Sequence, residues 1–161
     1  MAEYNIRPAV RNDSSMILSF IKKLAEYEKK LDQVVATASD IEKYLFDHKN
    51  AEAIIAEYQG EPAGFAVFFH NFSTFMGKPG IYIEDLFVDD KLRSKGLGLG
   101  LFSYIARLAL QRECGFLEWS VLKWNKPSIG FYKKMGAHDK KEWDLYRLSG
   151  ESLSKLADHN K

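Results

Sequence analysis

Residues 81–100 constrain the fold of this chain more than any other stretch. An apolar run at 81–88 reads as a buried strand. A charged turn follows, and then Gly96, Gly98 and Gly100 alternate with leucines and open an amphipathic run at 97–110. Glycines at a strand-to-helix junction let backbone approach a ligand closely, and a helix N-terminus offers N–H groups without helical partners. That combination suits an anion, most often a phosphate.

The rest of the chain supports a single globular domain. Its 161 residues suffice for a substantial core, and 46% hydrophobic with 28% charged residues argues against disorder. The net charge of +1 argues against nucleic-acid binding through bulk positive charge. Cys114 is the lone cysteine, which excludes an intramolecular disulfide and a four-cysteine metal site. It falls at the end of a predicted helix, where an inert thiol is expected. His48, His70, His138 and His159 show no metal-ligand spacing, so no metal is expected. No apolar signal core opens the chain, and no run approaches the ~18 apolar residues of a membrane span. The expectation is a cytoplasmic protein with neither membrane nor nucleic-acid partner.

Hydrophobic spacing gives the elements in order. A short strand at 4–7 is stopped by Pro8. Asn12 or Asp13 caps a helix whose apolar face carries Met16, Ile17, Phe20, Ile21 and Leu24, with Tyr27 and Glu28 at its end. Ser39-Asp40-Ile41-Glu42 has the spacing of a capping box and starts a short helix through Phe46. Strands at 53–58 and 63–69 form a hairpin around Gly60 and Pro62. Residues 73–80, with Gly77, Pro79 and Gly80, read as a loop into the 81–88 strand. After the glycine junction the helix runs to Cys114, with Gly115 as a left-handed stop. A strand at 116–122, a short helix at 127–135 with Gly136 behind it, and a strand at 143–148 complete the pattern. Only the strand–helix–strand unit at 81–122 requires a parallel crossover. The expected class is α/β, a mixed and mostly antiparallel sheet flanked by helices.

The junction fits two familiar phosphate loops poorly. A P-loop needs lysine and a hydroxyl after its last glycine, whereas Leu101 and Phe102 follow Gly100. A dinucleotide fingerprint needs Gly-x-Gly-x-x-Gly early in a doubly wound fold, and here the spacing is Gly-x-Gly-x-Gly in mid-chain. What remains is Arg93-x-x-Gly96-x-Gly98, a basic residue three before a glycine pair. The plainer alternative is glycines that only permit close helix–sheet packing.

Arg93-x-x-Gly96-x-Gly98 resembles the acetyl-CoA signature of the GNAT superfamily of N-acetyltransferases. The second mark of that family is an Asn followed by a helix bearing a Tyr. It is matched by Asn125-Lys126-Pro127-Ser128-Ile129-Gly130-Phe131-Tyr132, ending at Gly136. Four further stretches are similar to the diamine (spermidine/spermine) N-acetyltransferases and their thialysine-acetylating relatives. They are Ile6-Arg7-Pro8-Ala9, Leu24-Ala25-Glu26-Tyr27-Glu28, Tyr82-Ile83-Glu84-Asp85-Leu86-Phe87-Val88 and Trp124 to Ser128. The resemblance spans about residues 4–148. One departure is Ser94, where those enzymes often carry glycine; serine still presents a backbone N–H.

The resemblance implies direct acetyl transfer from acetyl-CoA to the primary amine of a small polyamine or lysine-like acceptor, by a homodimer. It implies a splayed strand pair, with the backbone of Leu86, Phe87 and Val88 pairing with the pantetheine arm. Backbone amides of Arg93, Ser94, Lys95, Gly96, Leu97, Gly98 and Leu99 would cradle the pyrophosphate, with the Arg93 or Lys95 side chain nearby. Asn125, Ser128 and Tyr132 complete the cofactor set. An alkylamine with a pKa near ~10.4 must lose a proton, and Glu84 is the expected base. Tyr132 is the expected acid for the leaving thiolate. Tyr27, Glu28, Glu84, Asp85, Glu118, Trp119 and Glu142 are the expected acceptor contacts. Lys140 and Lys141 would disfavour a long polyamine and favour a shorter zwitterion. Other amine acceptors (amino acid, aminoglycoside, protein amine) and a non-catalytic CoA-binding module are the alternatives.

Overall fold

The computed structural model describes residues 3–159. The chain divides into two compact units, Met1–Leu122 and Lys123–Lys161. The first holds a five-stranded sheet in the order β1-β2-β3-β4-β5. The strands are β1 Tyr4–Pro8, β2 Glu52–Tyr58, β3 Glu61–Ser73, β4 Lys78–Val88 and β5 Leu117–Trp119. The first four pair antiparallel, and β5 joins β4 in parallel, as the crossover unit required.

Helix α1, Ser14–Tyr27, covers one face of the sheet, and helix α3, Leu97–Gln111, covers the other. Ile17 and Phe20 of α1 pack with Ile55, Phe65, Val67 and Phe87, and the Phe20 and Phe65 rings stack at 5.5 Å. Opposite them, a Cβ on Gly100 of α3 would stand 2.8 Å from the Tyr4 ring and 3.1 Å from Ile6. Gly100 is therefore a close-packing glycine, which lets α3 settle on β1. Leu97, Leu101 and Ile105 of α3 are fully buried.

Arg7 ties β1 to the start of α1. Its guanidinium donates to both Asp13 carboxylate oxygens, at 2.8 and 3.1 Å, and to Glu57 at 2.7 Å. Asp13 thus serves a side-chain pair rather than capping α1, and it also accepts the Val10 N–H at 2.8 Å.

Several expected boundaries move. The capping box of α2, Ala38–Ile41, is built by Thr37 and Asp40, not by Ser39: the Asp40 N–H donates to the Thr37 hydroxyl and the Thr37 N–H to the Asp40 carboxylate. The helix continues as a π-helix over Glu42–Asp47. Residues 73–80 are not a loop. β3 and β4 extend as an arm, pairing Phe72 with Pro79 and Ser73 with Lys78, because a long neighbouring strand outweighs the local Gly and Pro signals. The left-handed residue after α3 is Glu113, at φ 57°, not Gly115. Gly115 instead lies against the arm, where a Cβ would meet Met76 at 3.0 Å. β5 is only three residues long.

In the second unit, α4 spans Lys126–Lys134 and α5 spans Gly150–Ala157. Gly136, at φ 89°, ends α4, and its N–H donates to Lys133 O at 3.0 Å. Residues 143–148 form no strand. Trp143, Leu145, Tyr146 and Leu148 are all exposed, and no ladder partner pairs with them among the described residues.

Candidate active site

The register of β3 on β4 shifts between Val67 and Phe68. Val67 pairs with Asp85 and Phe68 with Ile83, which leaves Glu84 as the extra residue of a β-bulge. The bulge reverses the alternation of β4. Ile83 shares a face with Phe68, on the α3 side, while Asp85 and Phe87 share a face with Val67 and Phe65, on the α1 side. Glu84 is exposed and Asp85 is half-buried.

Glu28, the residue after α1, is on the same side. Burial, then the charge of Glu84, then that of Glu28, push the Asp85 carboxyl up to about 6. Burial also raises Glu28. Three carboxylates therefore converge where β4 emerges from its pairing. Such a cluster attracts a cation, and a carboxyl titrating near 6 can hold or release a proton at neutral pH.

β4 leaves β5 after the Ile83–Trp119 pair and continues through Leu86, Phe87 and Val88 beside β3 alone. Phe87 is core, and Leu86 and Val88 are half-buried. Gly64 faces Val88 across the β3–β4 pair, where a Cβ would stand 2.5 Å from the Phe87 carbonyl oxygen. This strand glycine holds β4 close, and an isolated glycine within a strand pattern was the sequence signal for it.

A 3-10 turn, Asp90–Leu92, capped by Asp89, leads from β4 to the glycines. Ser94 adopts φ 68° and Gly96 φ 84°. Gly96 is the N-cap of α3, and its carbonyl accepts the first helical N–H, that of Gly100, at 2.9 Å. The amides of Leu97, Gly98 and Leu99 precede that bond and have no carbonyl partner within the helix. The Arg93 and Lys95 amides make only long turn contacts of 3.4 Å. A positive helix end with Lys95 exposed beside it fits a diphosphate. Arg93 is otherwise engaged: its guanidinium pairs with Asp90 at 2.5 Å and lies 4.7 Å from the Tyr27 ring centroid.

Glu118 pairs with Tyr82 on the α1 side of the sheet, where its carboxylate accepts from Asn71 at 3.1 Å. Trp119 lies on the α3 side, its ring 4.9 Å from that of Phe102, so the register does not bring it to Asp85. The second unit holds the remaining expected residues. Asn125 caps α4, its side-chain oxygen accepting the Ser128 N–H at 3.4 Å. Tyr132 lies on α4, its ring 5.9 Å from that of Phe131. Glu142 is exposed, beside a segment in which the Lys140 ammonium lies 5.6 Å from the Trp143 ring. Neither the bulge at Glu84 nor the Arg93–Tyr27 contact left a trace in the sequence.

The acetyltransferase (GNAT) family model matches residues 18–137. The chain is 35% identical to the thialysine N-epsilon-acetyltransferase of Bos taurus, over 98% of this chain and 99% of that one. It is 40% identical to the L-ornithine N5-acetyltransferase of Arabidopsis thaliana, over 73% of this chain and 48% of that one. Among solved structures, an integron cassette protein from the mobile metagenome of V. cholerae superposes with a TM-score of 0.79 at 28% identity, covering 96% of this chain and 98% of that one.

Proposed function

The chain belongs to the GNAT acetyltransferase family and is an acetyl-CoA-dependent N-acetyltransferase, and we propose that its acceptor is the terminal primary amine of a small lysine-like molecule. A polyamine is the second acceptor class. The observation that carries this reading is the convergence of Glu28, Glu84 and Asp85, with Asp85 pushed up to about 6. Three carboxylates suit a small cation far better than a neutral or anionic acceptor. The names of the relatives, thialysine and ornithine acetyltransferases, favour an amine carried on an amino acid.

Acetyl-CoA supplies the acetyl group as a thioester. The amides at the start of α3 and the Lys95 side chain would hold its diphosphate, and the backbone of Leu86 to Val88 would face its pantetheine arm. Arg93, Ser94 and Gly96 shape the turn that presents those amides. Asp85 and Glu28 hold the incoming ammonium, with Tyr27 beside them. Glu84, exposed at the bulge, takes the amine proton directly or through water. Tyr132 holds a phenolic proton for the departing sulfur, a role carried by the Asn125-to-Gly136 motif. The perturbed acidity of Asp85 favours a second reading of the base, in which Asp85 itself takes the proton.

Homodimerisation is part of the same proposal. Exposed aromatic side chains support it: Phe75 in the first unit, and Trp143 and Tyr146 in the second. Light scattering should give twice the chain mass of 18.5 kDa. No helix among the described residues is long and apolar enough to cross a membrane.

The deciding experiment measures CoA release against thialysine, ornithine, lysine, spermidine, putrescine and an aminoglycoside. Turnover should be highest with the lysine-like amines. Turnover confined to the aminoglycoside, or none with any amine, would sink the reading.

A further inference from the structure

We infer that Arg93, which opens the glycine motif, is a positioning residue for the amine acceptor rather than a ligand of the cofactor diphosphate. Two contacts fix its guanidinium. One is the Asp90 carboxylate at 2.5 Å, and the other is the face of Tyr27 at 4.7 Å from the ring centroid. The first spans three residues within the turn, so the guanidinium already has an anionic partner on the loop side. The second crosses to the last residue of α1.

That residue needs an anchor. Final helical turns fray, and the chain reverses directly after Tyr27 through Glu28 and Lys29, the latter at φ 59°. Backbone bonds close the turn, from Glu28 N–H to Leu24 O at 2.9 Å and from Lys30 N–H to Ala25 O at 2.8 Å. They fix the path of the main chain but not the rotamer of Tyr27. The Arg93 guanidinium over the ring adds a contact to that side chain, which an ammonium matches less well. One turn earlier on the same helix, Lys23 pairs with Asp89 at 3.1 Å. The end of α1 is thereby clamped twice to the turn between β4 and the glycines. Glu28, next to Tyr27, is held within electrostatic reach of Asp85. The turn that precedes the cofactor cradle thus sets the geometry of the acceptor end.

This inference rests on the assignment of Tyr27, Glu28 and Asp85 to the acceptor, and the test separates the two. KM for thialysine and for acetyl-CoA is measured in the wild type, Arg93→Ala, Arg93→Lys, Tyr27→Leu, the Arg93→Ala/Tyr27→Leu double variant and Glu28→Gln. Arg93→Ala should raise the thialysine KM about fivefold, as expected for a partly exposed cation–π contact, and change the acetyl-CoA KM less than about twofold. Arg93→Lys should recover about half of that loss. The double variant should be no worse than Tyr27→Leu alone, giving a coupling factor of about three or more. A smaller coupling factor, or a rise confined to acetyl-CoA, overturns the inference. If Glu28→Gln leaves the thialysine KM unchanged, it is the acceptor assignment that fails. If Glu28→Gln raises it and Arg93→Ala does not, only the role of Arg93 fails.

Discussion

A Cβ placed on Gly64 would lie 2.5 Å from the carbonyl oxygen of Phe87 and 3.2 Å from the α-carbon of Val88. Both neighbours are backbone, so no rotamer change relieves the contact. Gly64→Ala must push β4 away from β3 at the residues proposed to meet the pantetheine arm. Overpacking of this kind costs about 1–3 kcal/mol. The expected outcome is a lower Tm and an acetyl-CoA KM raised about tenfold or more, because sub-ångström placement governs such sites. The amine KM should hold nearly constant. Steady-state kinetics with each substrate varied in turn decides this, and an unchanged acetyl-CoA KM would refute it.

Asp85 and Asp13 titrate in opposite senses, which predicts opposite effects on stability. Burial, Glu84 and Glu28 raise Asp85 from 3.8 to about 6. Between pH ~4 and ~6 the folded state keeps a proton that the unfolded state has lost, so stability falls across that window and stays lowered above it. Asp85→Asn should therefore stabilise the protein at pH 7.5, by about 1–3 kcal/mol, and change little at pH 4. Amine turnover should fall about a hundredfold in the same variant. Urea melts at the two pH values check the sign. Equal effects at both would show that Asp85 ionises normally.

Asp13 is held low by the Arg7 guanidinium, with help from the Val10 N–H against the opposing effect of burial. Its contribution is present above the unfolded pKa and is lost as pH falls through the lower folded value. Asp13→Ala strips Arg7 and Val10 of an acceptor that is only 8% exposed, which should cost about 1–3 kcal/mol at pH 7. The difference from wild type should shrink below pH ~4. A constant difference would assign the loss to packing rather than to charge.

The sequence carried the strand–helix–strand unit at 81–122 because its glycines, leucines and apolar run agree with one another locally. It carried the end of α4 for the same reason, Gly136 being the residue that a left-handed stop favours. It did not carry features that depend on a distant neighbour. The β3–β4 arm forms across Gly77 and Pro79 because each strand supplies the other's hydrogen bonds. Residues 143–148 alternate like a strand and lack a partner among the described residues. The same limit hid the site's main device. Simple alternation puts Glu84 and Asp85 on opposite faces, but only the register against Val67 and Phe68 shows a bulge at Glu84 that sets Asp85 on the α1 side, where the charge of Glu28 reaches it.

Ser94 adopts φ 68°, where the resembling enzymes often carry glycine. A left-handed residue with a Cβ costs about 1–2 kcal/mol, and glycine returns part of that as greater freedom of the unfolded chain. Ser94→Gly should stabilise the fold by about 0.5–1 kcal/mol. The acetyl-CoA KM should stay within about twofold, since a backbone N–H is proposed to serve the diphosphate and glycine keeps it. A destabilised variant, or a large rise in KM, would instead give the Ser94 hydroxyl a role of its own.

Glu28 supplies the last test, through the pH profile of kcat/KM for the amine, which reports ionisations of the uncomplexed enzyme. The wild-type acidic limb should break at about 6, where Asp85 gains its proton and ceases to attract the ammonium. Removing the neighbouring charge in Glu28→Gln lowers the pKa of Asp85, so the limb should move to lower pH. The amine KM should rise at the same time, because one of the converging anions is gone. A limb that moves upward, or does not move while the KM rises, would separate Glu28 from Asp85 and break the proposed cluster.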